Sequence, residues 1–283
     1  MRQLDWLDRF DTMPYDDAVI GWPELGRGSL GDGLRVRFPD SSVTVGIDAV
    51  GATEEVGPFT NFLPGAVPTW KFYARPRLGL TGEIGPEDVQ RVLDRRAELG
   101  LPRNLEWVDE VTPSLLPAVR AVVGDRTGRY PLLVRRPDPA PPEQAGIVVM
   151  GPDHPDLPAA IGAVGASFDG RDDVTPATLS GQPGLIEAGE LIVVAAYDAH
   201  GDVVGGGTTA PRGDVTELMG IAILPRARGT GLGTATTQAL VRAALEAGVT
   251  TLFLSAASNG AAAIYRRVGF EDVGTACILG LDD

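Results

Sequence analysis

Pro225-Arg226-Ala227-Arg228-Gly229-Thr230-Gly231-Leu232-Gly233 is the stretch whose reading decides this chain. It lies between a β-rich run and a run of helical apolar spacing. Glycine at every second position lets the main chain turn tightly and present several N–H groups in one direction. The helix that follows aims its positive dipole end at the same place. Arg226 and Arg228 add charge that can reach a phosphate. Read in isolation, the stretch is an anion site or a glycine-rich turn with no ligand. It is not a Walker loop, which needs a lysine beside the last glycine; the sole lysine, Lys71, lies far upstream. A dinucleotide fingerprint also fails, because the glycine spacing is wrong and Val249 to Ser255 carries no acid.

The flanks supply the context. Upstream, Ala145 to Met150 reads as a short strand and Asp156 to Phe168 as a helix. The Gly/Pro-punctuated stretch 170–190 reads as a loop or short helix. Glu190 to Asp198 is a strand, Ala199-His200-Gly201-Asp202 a hairpin turn, and Val203 starts the returning strand. Pro211-Arg212-Gly213-Asp214 turns again into a strand from Val215 to Leu224. Gly205-Gly206-Gly207 predicts a bulge or a close backbone approach. Downstream, Thr234 to Ala247 has an apolar stripe at Leu240, Val241, Ala244 and Leu245 and stops at Gly248. Thr250 to Leu254 is β-rich, Gly260 to Arg267 a short helix, and Val273 to Leu279 a final strand. Antiparallel hairpins followed by a β-loop-α-β crossover predict a mixed α/β fold, a mostly antiparallel sheet with flanking helices.

Arg228-Gly229-Thr230-Gly231-Leu232-Gly233 resembles the Arg/Gln-x-x-Gly-x-Gly/Ala signature of the GNAT superfamily of acyl-CoA-dependent N-acetyltransferases. Thr216 to Pro225 is similar to that family's fourth strand. Asn259, Ala262 and Tyr265, followed by Gly269-Phe270, resemble its Asn-x-x-Ala-x-x-x-Tyr segment. The resemblance covers the second half of the chain. It implies acetyl-CoA as the acyl donor. The pyrophosphate would lie on the N–H groups of Arg228, Gly229, Thr230, Gly231, Leu232 and Gly233, with Thr234 in the same turn. The pantetheine arm would pair like a strand with Ile221, Ala222 and Ile223, freed because the fourth and fifth strands of the family splay apart. Chemistry would be direct attack of a neutral amine within a ternary complex.

The resemblance also assigns the protons. Tyr265 stands where the family keeps a tyrosine near the thioester sulfur, and a phenol with an ordinary pKa of about 10 can donate at neutral pH. Otherwise it is an aromatic holding the short helix to the sheet. Glu217 stands where several members keep a general-base glutamate; its alternative is a structural or ammonium-binding carboxylate. Asn259 would contact pantetheine or cap the short helix. Cys277 reads as a buried thiol, because a ping-pong nucleophile needs an activating base and neither His154 nor His200 is near in sequence. His200 reads as an exposed turn residue and His154 as a loop residue.

Composition limits the rest. The chain has 283 residues and a formal net charge of −14, with 43% hydrophobic residues. This length predicts about two domains, each with a real core. The acidic balance argues against nucleic acid and weakly favours a cationic small molecule. One cysteine and two histidines leave little for a metal site. No apolar run is long enough for a membrane helix, and the N-terminus does not read as a signal peptide, so a cytoplasmic location is expected. The proline cluster Pro137-Asp138-Pro139-Ala140-Pro141-Pro142 predicts a spacer, which divides the chain into 1–140 and 141–283.

The first half reads as a worn copy of the second. Arg95 to Val108 lays against Ala243 to Leu254, each ending a helix at glycine and entering a strand. Thr112 to Val123 matches the short helix, and Trp70 to Pro76 the fourth strand. Between them Arg77 to Pro86 lacks the alternating glycines, and Glu83 puts negative charge where a pyrophosphate would lie. The expectation is tandem GNAT-like domains, the first degenerate and without CoA; an unrelated α/β domain is the alternative. For the whole chain it is an N-acetyltransferase for a small-molecule amine, with a homodimer among the admitted assemblies. A non-catalytic acyl-CoA sensor or interaction module is the alternative from another class. Protein acetylation is a third reading, for which the sequence offers no selection.

Overall fold

Glycine punctuation and apolar spacing set most element boundaries. The computed structural model describes residues 53–63, 73–77, 79–137 and 140–281, with the backbone of two further strands at 34–37 and 44–47. Trp70 to Phe72 and Asp138-Pro139, used above for the internal comparison and the spacer, lie outside the described residues. The strands are β1 (Leu34–Arg37), β2 (Thr44–Ile47), β3 (Thr53–Val56), β4 (Phe59–Phe62), β5 (Arg75–Pro76), β6 (Leu105–Val108), β7 (Thr127–Arg135), β8 (Ile147–Val149), β9 (Ile192–Tyr197), β10 (Val203–Thr209), β11 (Val215–Ile223), β12 (Thr251–Ser255) and β13 (Glu271–Leu279). The helices are α1 (Pro86–Glu98), α2 (Leu115–Val123), α3 (Leu157–Phe168), α4 (Gln182–Glu187), α5 (Leu232–Glu246) and α6 (Asn259–Arg267). The fold is mixed α/β, with mostly antiparallel sheet and flanking helices.

Contacts divide the chain into two units that interleave in sequence. One holds Val134–Leu254 and Gly260–Glu271; the other holds the described residues up to Leu133, with Ser255–Asn259 and the segment from Asp272 onward.

In the unit from Val134, the strand order is β12-β11-β10-β9-β8. All neighbours are antiparallel except β11 and β12, which are joined through α5 and run parallel. α3 packs on β9, β10 and β11. Its apolar side (Leu157, Ile161, Val164) shares a core with Val193, Ala195 and Met219. α5 packs on β8 to β11 through residues that include Leu240, Val241 and Ala244. The triple glycine of β10 is a site of close approach. A Cβ at Gly206 would collide with the Val194 carbonyl, and one at Gly207 would come within 2.8 Å of Leu240. Opposite these glycines the extra residue lies on the partner strand: Gly206 faces Ala222 and Thr208 faces Met219, so Gly220 and Ile221 together oppose Gly207. Against β10 the surplus residue is on β11, whereas against β9 it is Val204 of β10 itself, since Val203 faces Tyr197 and Gly205 faces Ala196.

In the other unit, β3-β4-β5 form an antiparallel sheet, and β13 lies between β6 and β7. The β13–β6 register pairs Ala276 with Val108 and Leu279 with Leu105. The core gathers Phe59, Val89, Trp107, Leu115, Val119 and Cys277. From β4 to β7 the order is strand, strand, helix, strand, helix, strand, and from β10 to β13 it is the same. The parallel rung recurs too: Ala74 bridges Leu105 in parallel, as β11 pairs β12. A buried ion pair lies just past that rung, Arg75 Nη2 to Glu106 Oε2 at 2.8 Å, with both side chains at most 1% exposed.

Candidate active site

β11 carries the centre of the site. Its parallel ladder with β12 has three rungs, Val215–Thr251, Thr216–Leu252 and Glu217–Phe253. Pairing then stops, while β11 continues six residues to Ile223 against β10 alone. Glu217 therefore stands at the point of divergence, buried at 4% exposure. Strand alternation puts it on the same face as Met219, the face covered by α3. Thr209 fixes the main chain there: its Oγ1–H donates to the Glu217 carbonyl at 2.6 Å, and it shares a 2.7 Å contact with Thr216 Oγ1. Ile221, Ala222 and Ile223 lie beyond the divergence, on the stretch whose β12 side has no ladder rung.

The chain leaves β11 through a single 3-10 turn, Pro225–Ala227, and enters α5. Arg228, Gly229, Thr230 and Gly231 are exposed. Gly229 and Gly231 have φ of 79° and 92°, and space around both is open. L-residues avoid this backbone region, so glycine is what permits the turn. α5 starts at Leu232, two residues before the sequence reading placed it, with Gly231 as N-cap and no side-chain cap. Its first helical bond is Ala235 N–H to Gly231 O at 3.1 Å. The N–H groups of Leu232, Gly233 and Thr234 consequently have no intrahelical acceptor. The corresponding helix of the other unit is finished differently: Asp88 accepts the Gly85 N–H at 3.1 Å, and Glu87 and Asp88 make its first turn acidic. One helix start is open and neutral; the other is closed by its own carboxylate.

The arginines differ from the sequence expectation of two free cations. Arg228 turns its guanidinium inward, donating from Nε to the Ile223 carbonyl at 2.9 Å and from Nη2 to the Ser167 carbonyl at 3.0 Å. The Arg226 side chain lies 3.9 Å from Asp198, and its N–H donates to Asp172 at 2.8 Å. The positive character of the loop is carried mainly by backbone. Ser167 and Asp172, which hold this loop from 61 and 54 residues upstream, belong to no motif. No local sequence signal marks them.

Tyr265 sits on α6, half-buried, with its ring edge-to-face on Phe270 at 6.2 Å. Burial pushes its phenol up to about 12. Its hydroxyl therefore holds its proton throughout the neutral range. Asn259 is the first residue of α6 and is exposed. Cys277 is fully buried on β13, and burial, with Asp109 nearby, raises its thiol to about 12. His200 is exposed in its turn, and His154 Nδ1 accepts the Asp156 N–H at 3.2 Å. Among the described residues no group of three His, Cys, Asp or Glu side chains could hold a metal, and no helix is long and apolar enough to cross a membrane.

Known structures share this fold. A GCN5-related N-acetyltransferase from Kribbella flavida superposes with a TM-score of 0.59 at 22% identity, covering 82% of this chain and 90% of that one. A conserved protein of unknown function from Staphylococcus epidermidis superposes with a TM-score of 0.52 at 13% identity, covering 81% and 93%. No curated protein matches the sequence. Residues 166–270 match the acetyltransferase (GNAT) family, a span that runs from the end of α3 through β11, the glycine loop and α5 to Phe270. The C-terminal part of this chain is a domain of the GNAT acetyltransferase superfamily.

Proposed function

We propose that the chain is an acyl-CoA-dependent N-acetyltransferase that transfers an acetyl group to a small-molecule amine by direct attack in a ternary complex. One observation carries the reading: a single strand both diverges from its parallel neighbour at Glu217 and ends in an uncapped helix start with open N–H groups. A slot and an anion cradle on one strand fit a long ligand with a phosphate end. The fit test is local: Gly229 and Gly231 leave open space, and the first three N–H groups of α5 await an acceptor.

Bound there, acetyl-CoA supplies the acyl group as an activated thioester. Arg228 to Thr234 bind its phosphates through main-chain N–H groups. Ile221, Ala222 and Ile223 offer main chain for strand-like pairing along the slot, and Asn259 lies at the start of α6 to contact the same arm. Glu217 accepts the proton that the amine must lose. Tyr265 holds a proton at its Oη and delivers it to the departing thiolate, which leaves as the thiol. Cys277 supports the direct route, because a fully buried thiol with a raised pKa offers no nucleophile for a covalent intermediate. We assign the acidic surface to attracting a cationic acceptor. We further propose that the first copy, nominally 1–140, takes no CoA: its helix start is closed by Asp88, and Arg75–Glu106 lies where the strands would part.

The test is thiol release from acetyl-CoA with a panel of primary amines, beside calorimetric titration with acetyl-CoA. Turnover with at least one amine is expected. Tight binding with no turnover for any amine would favour a sensor instead.

A further inference from the structure

The glycine loop is held in place from a helix end that no motif marks. Ser167 is the penultimate residue of α3 and is 4% exposed. Its Oγ–H donates to the Ile223 carbonyl at 2.7 Å. Arg228 Nε donates to the same carbonyl at 2.9 Å. Arg228 Nη2 completes the triangle, donating to the Ser167 carbonyl at 3.0 Å and lying 3.3 Å from Ser167 Oγ. Three elements meet there: the end of α3, the end of β11 and the entrance to the loop. The guanidinium also lies at the C-terminal end of α3, where the dipole favours a cation. Five residues beyond Ser167, Asp172 takes the Arg226 N–H at 2.8 Å, so the same segment holds the turn at a second point. Thr230 closes the loop on itself, Oγ1 to Ala227 O at 2.7 Å.

We propose that Ser167 is a positioning residue for the acyl donor. Together with the inward-turned Arg228 it fixes the end of β11 and thereby sets the direction of the N–H groups that follow. This rests on the acyl-CoA reading above. Arg228 then serves as a geometric clamp through its planar fork, not as a cation on the phosphate. Ser167 touches no donor atom; its effect travels through Ile223 and Arg228.

The test uses the full chain with Ser167→Ala, Ser167→Thr and Arg228→Lys, and two donors: acetyl-CoA and S-acetylpantetheine, which lacks the pyrophosphate. Loss of a buried hydrogen bond at this point should weaken acetyl-CoA binding about tenfold in Ser167→Ala. kcat at saturation should stay within about twofold, since an interaction used equally in ground and transition states moves KM alone. kcat/KM with S-acetylpantetheine should fall by a smaller factor than with acetyl-CoA, because that donor meets the clamp only through Ile223 and not through the loop N–H groups. Ser167→Thr restores the hydroxyl and should recover most of the affinity. Arg228→Lys keeps the charge but loses the fork, so it should show the same donor-selective loss. Wild-type affinity in Ser167→Ala and Arg228→Lys overturns the proposal, as do equal losses with both donors. A wild-type chain that binds no acetyl-CoA overturns the acyl-CoA reading itself, and this inference with it.

Discussion

Removing the Tyr265 hydroxyl isolates one proton transfer with little else disturbed. The ring packs edge-to-face on Phe270 at 6.2 Å, and Tyr265→Phe keeps that contact. The hydroxyl bonds to no other described side chain, so its loss orphans no buried partner. Stability should change by less than about 0.5 kcal/mol, as for a substitution that removes no packing or satisfied bond. Catalysis should change far more. A general acid contributes at least about 100-fold, which is about 2.7 kcal/mol of barrier at 1.36 kcal/mol per decade. The expected result is therefore a kcat lowered about 100-fold or more, with acetyl-CoA affinity and melting temperature nearly unchanged. The pH profile adds a second reading. The phenol is raised to about 12, so its acid form persists and the wild-type rate should show no loss from Tyr265 between about pH 8 and pH 10. The assay is thiol release under saturating acetyl-CoA across that range, beside calorimetry and thermal denaturation. A kcat within about threefold of wild type would remove Tyr265 from the chemistry and leave it a packing residue.

Other consequences concern the buried ion pair, the thiol and β13. Glu106→Gln removes the charge that Glu106 supplies to buried Arg75 and should destabilise the protein by about 3–5 kcal/mol in denaturant titration, whereas an apolar pair at both positions should recover much of the loss; a change under about 1 kcal/mol for Glu106→Gln would contradict the burial argument. Cys277 should stay silent to a thiol reagent at pH 8 in the native protein and react on unfolding. Its folded pKa is raised, so the protonated thiol contributes stability at pH values below its unfolded pKa, and that contribution is lost as pH rises toward about 12. Rapid native labelling would refute this. Ending the chain at Glu271 removes β13 from between β6 and β7, so it should unfold the unit built around Trp107 and Val119, despite the distance in sequence; an unchanged far-ultraviolet spectrum and melting profile would show that β13 is dispensable.

The C-terminal half was legible because its signals are local. The alternating glycines from Gly229 to Gly233 can do little but turn, and the apolar stripe at Leu240, Val241 and Ala244 fixes the inner face of α5. The start of α5 was misplaced by two residues because Leu232 and Gly233 are weak start signals. The triple glycine marked a close backbone approach on a bulged strand, whereas the second surplus residue, on β11 opposite Gly207, is a matter of pairing between strands that no single run encodes. Non-local features were silent for the same reason. Nothing near Ser167 announces that it grips a carbonyl 56 residues away. Nothing in β13 announces that it pairs with β6, whose sequence lies in the other half. The recurring order of elements was visible in the helix-glycine-strand junction, but the buried Arg75–Glu106 pair depends on two strands meeting in space.

The central claim is that acyl transfer occurs on the second copy alone, through the open helix start of α5. Calorimetric titration of the full chain with acetyl-CoA tests it most directly, repeated with Gly231→Val. A β-branched residue at φ 92° is forced out of this backbone region, and the loop must reorganise. The account predicts one saturable site per chain in the wild type, abolished or weakened by at least about tenfold in the variant. Two sites per chain, or undiminished binding in Gly231→Val, would contradict it.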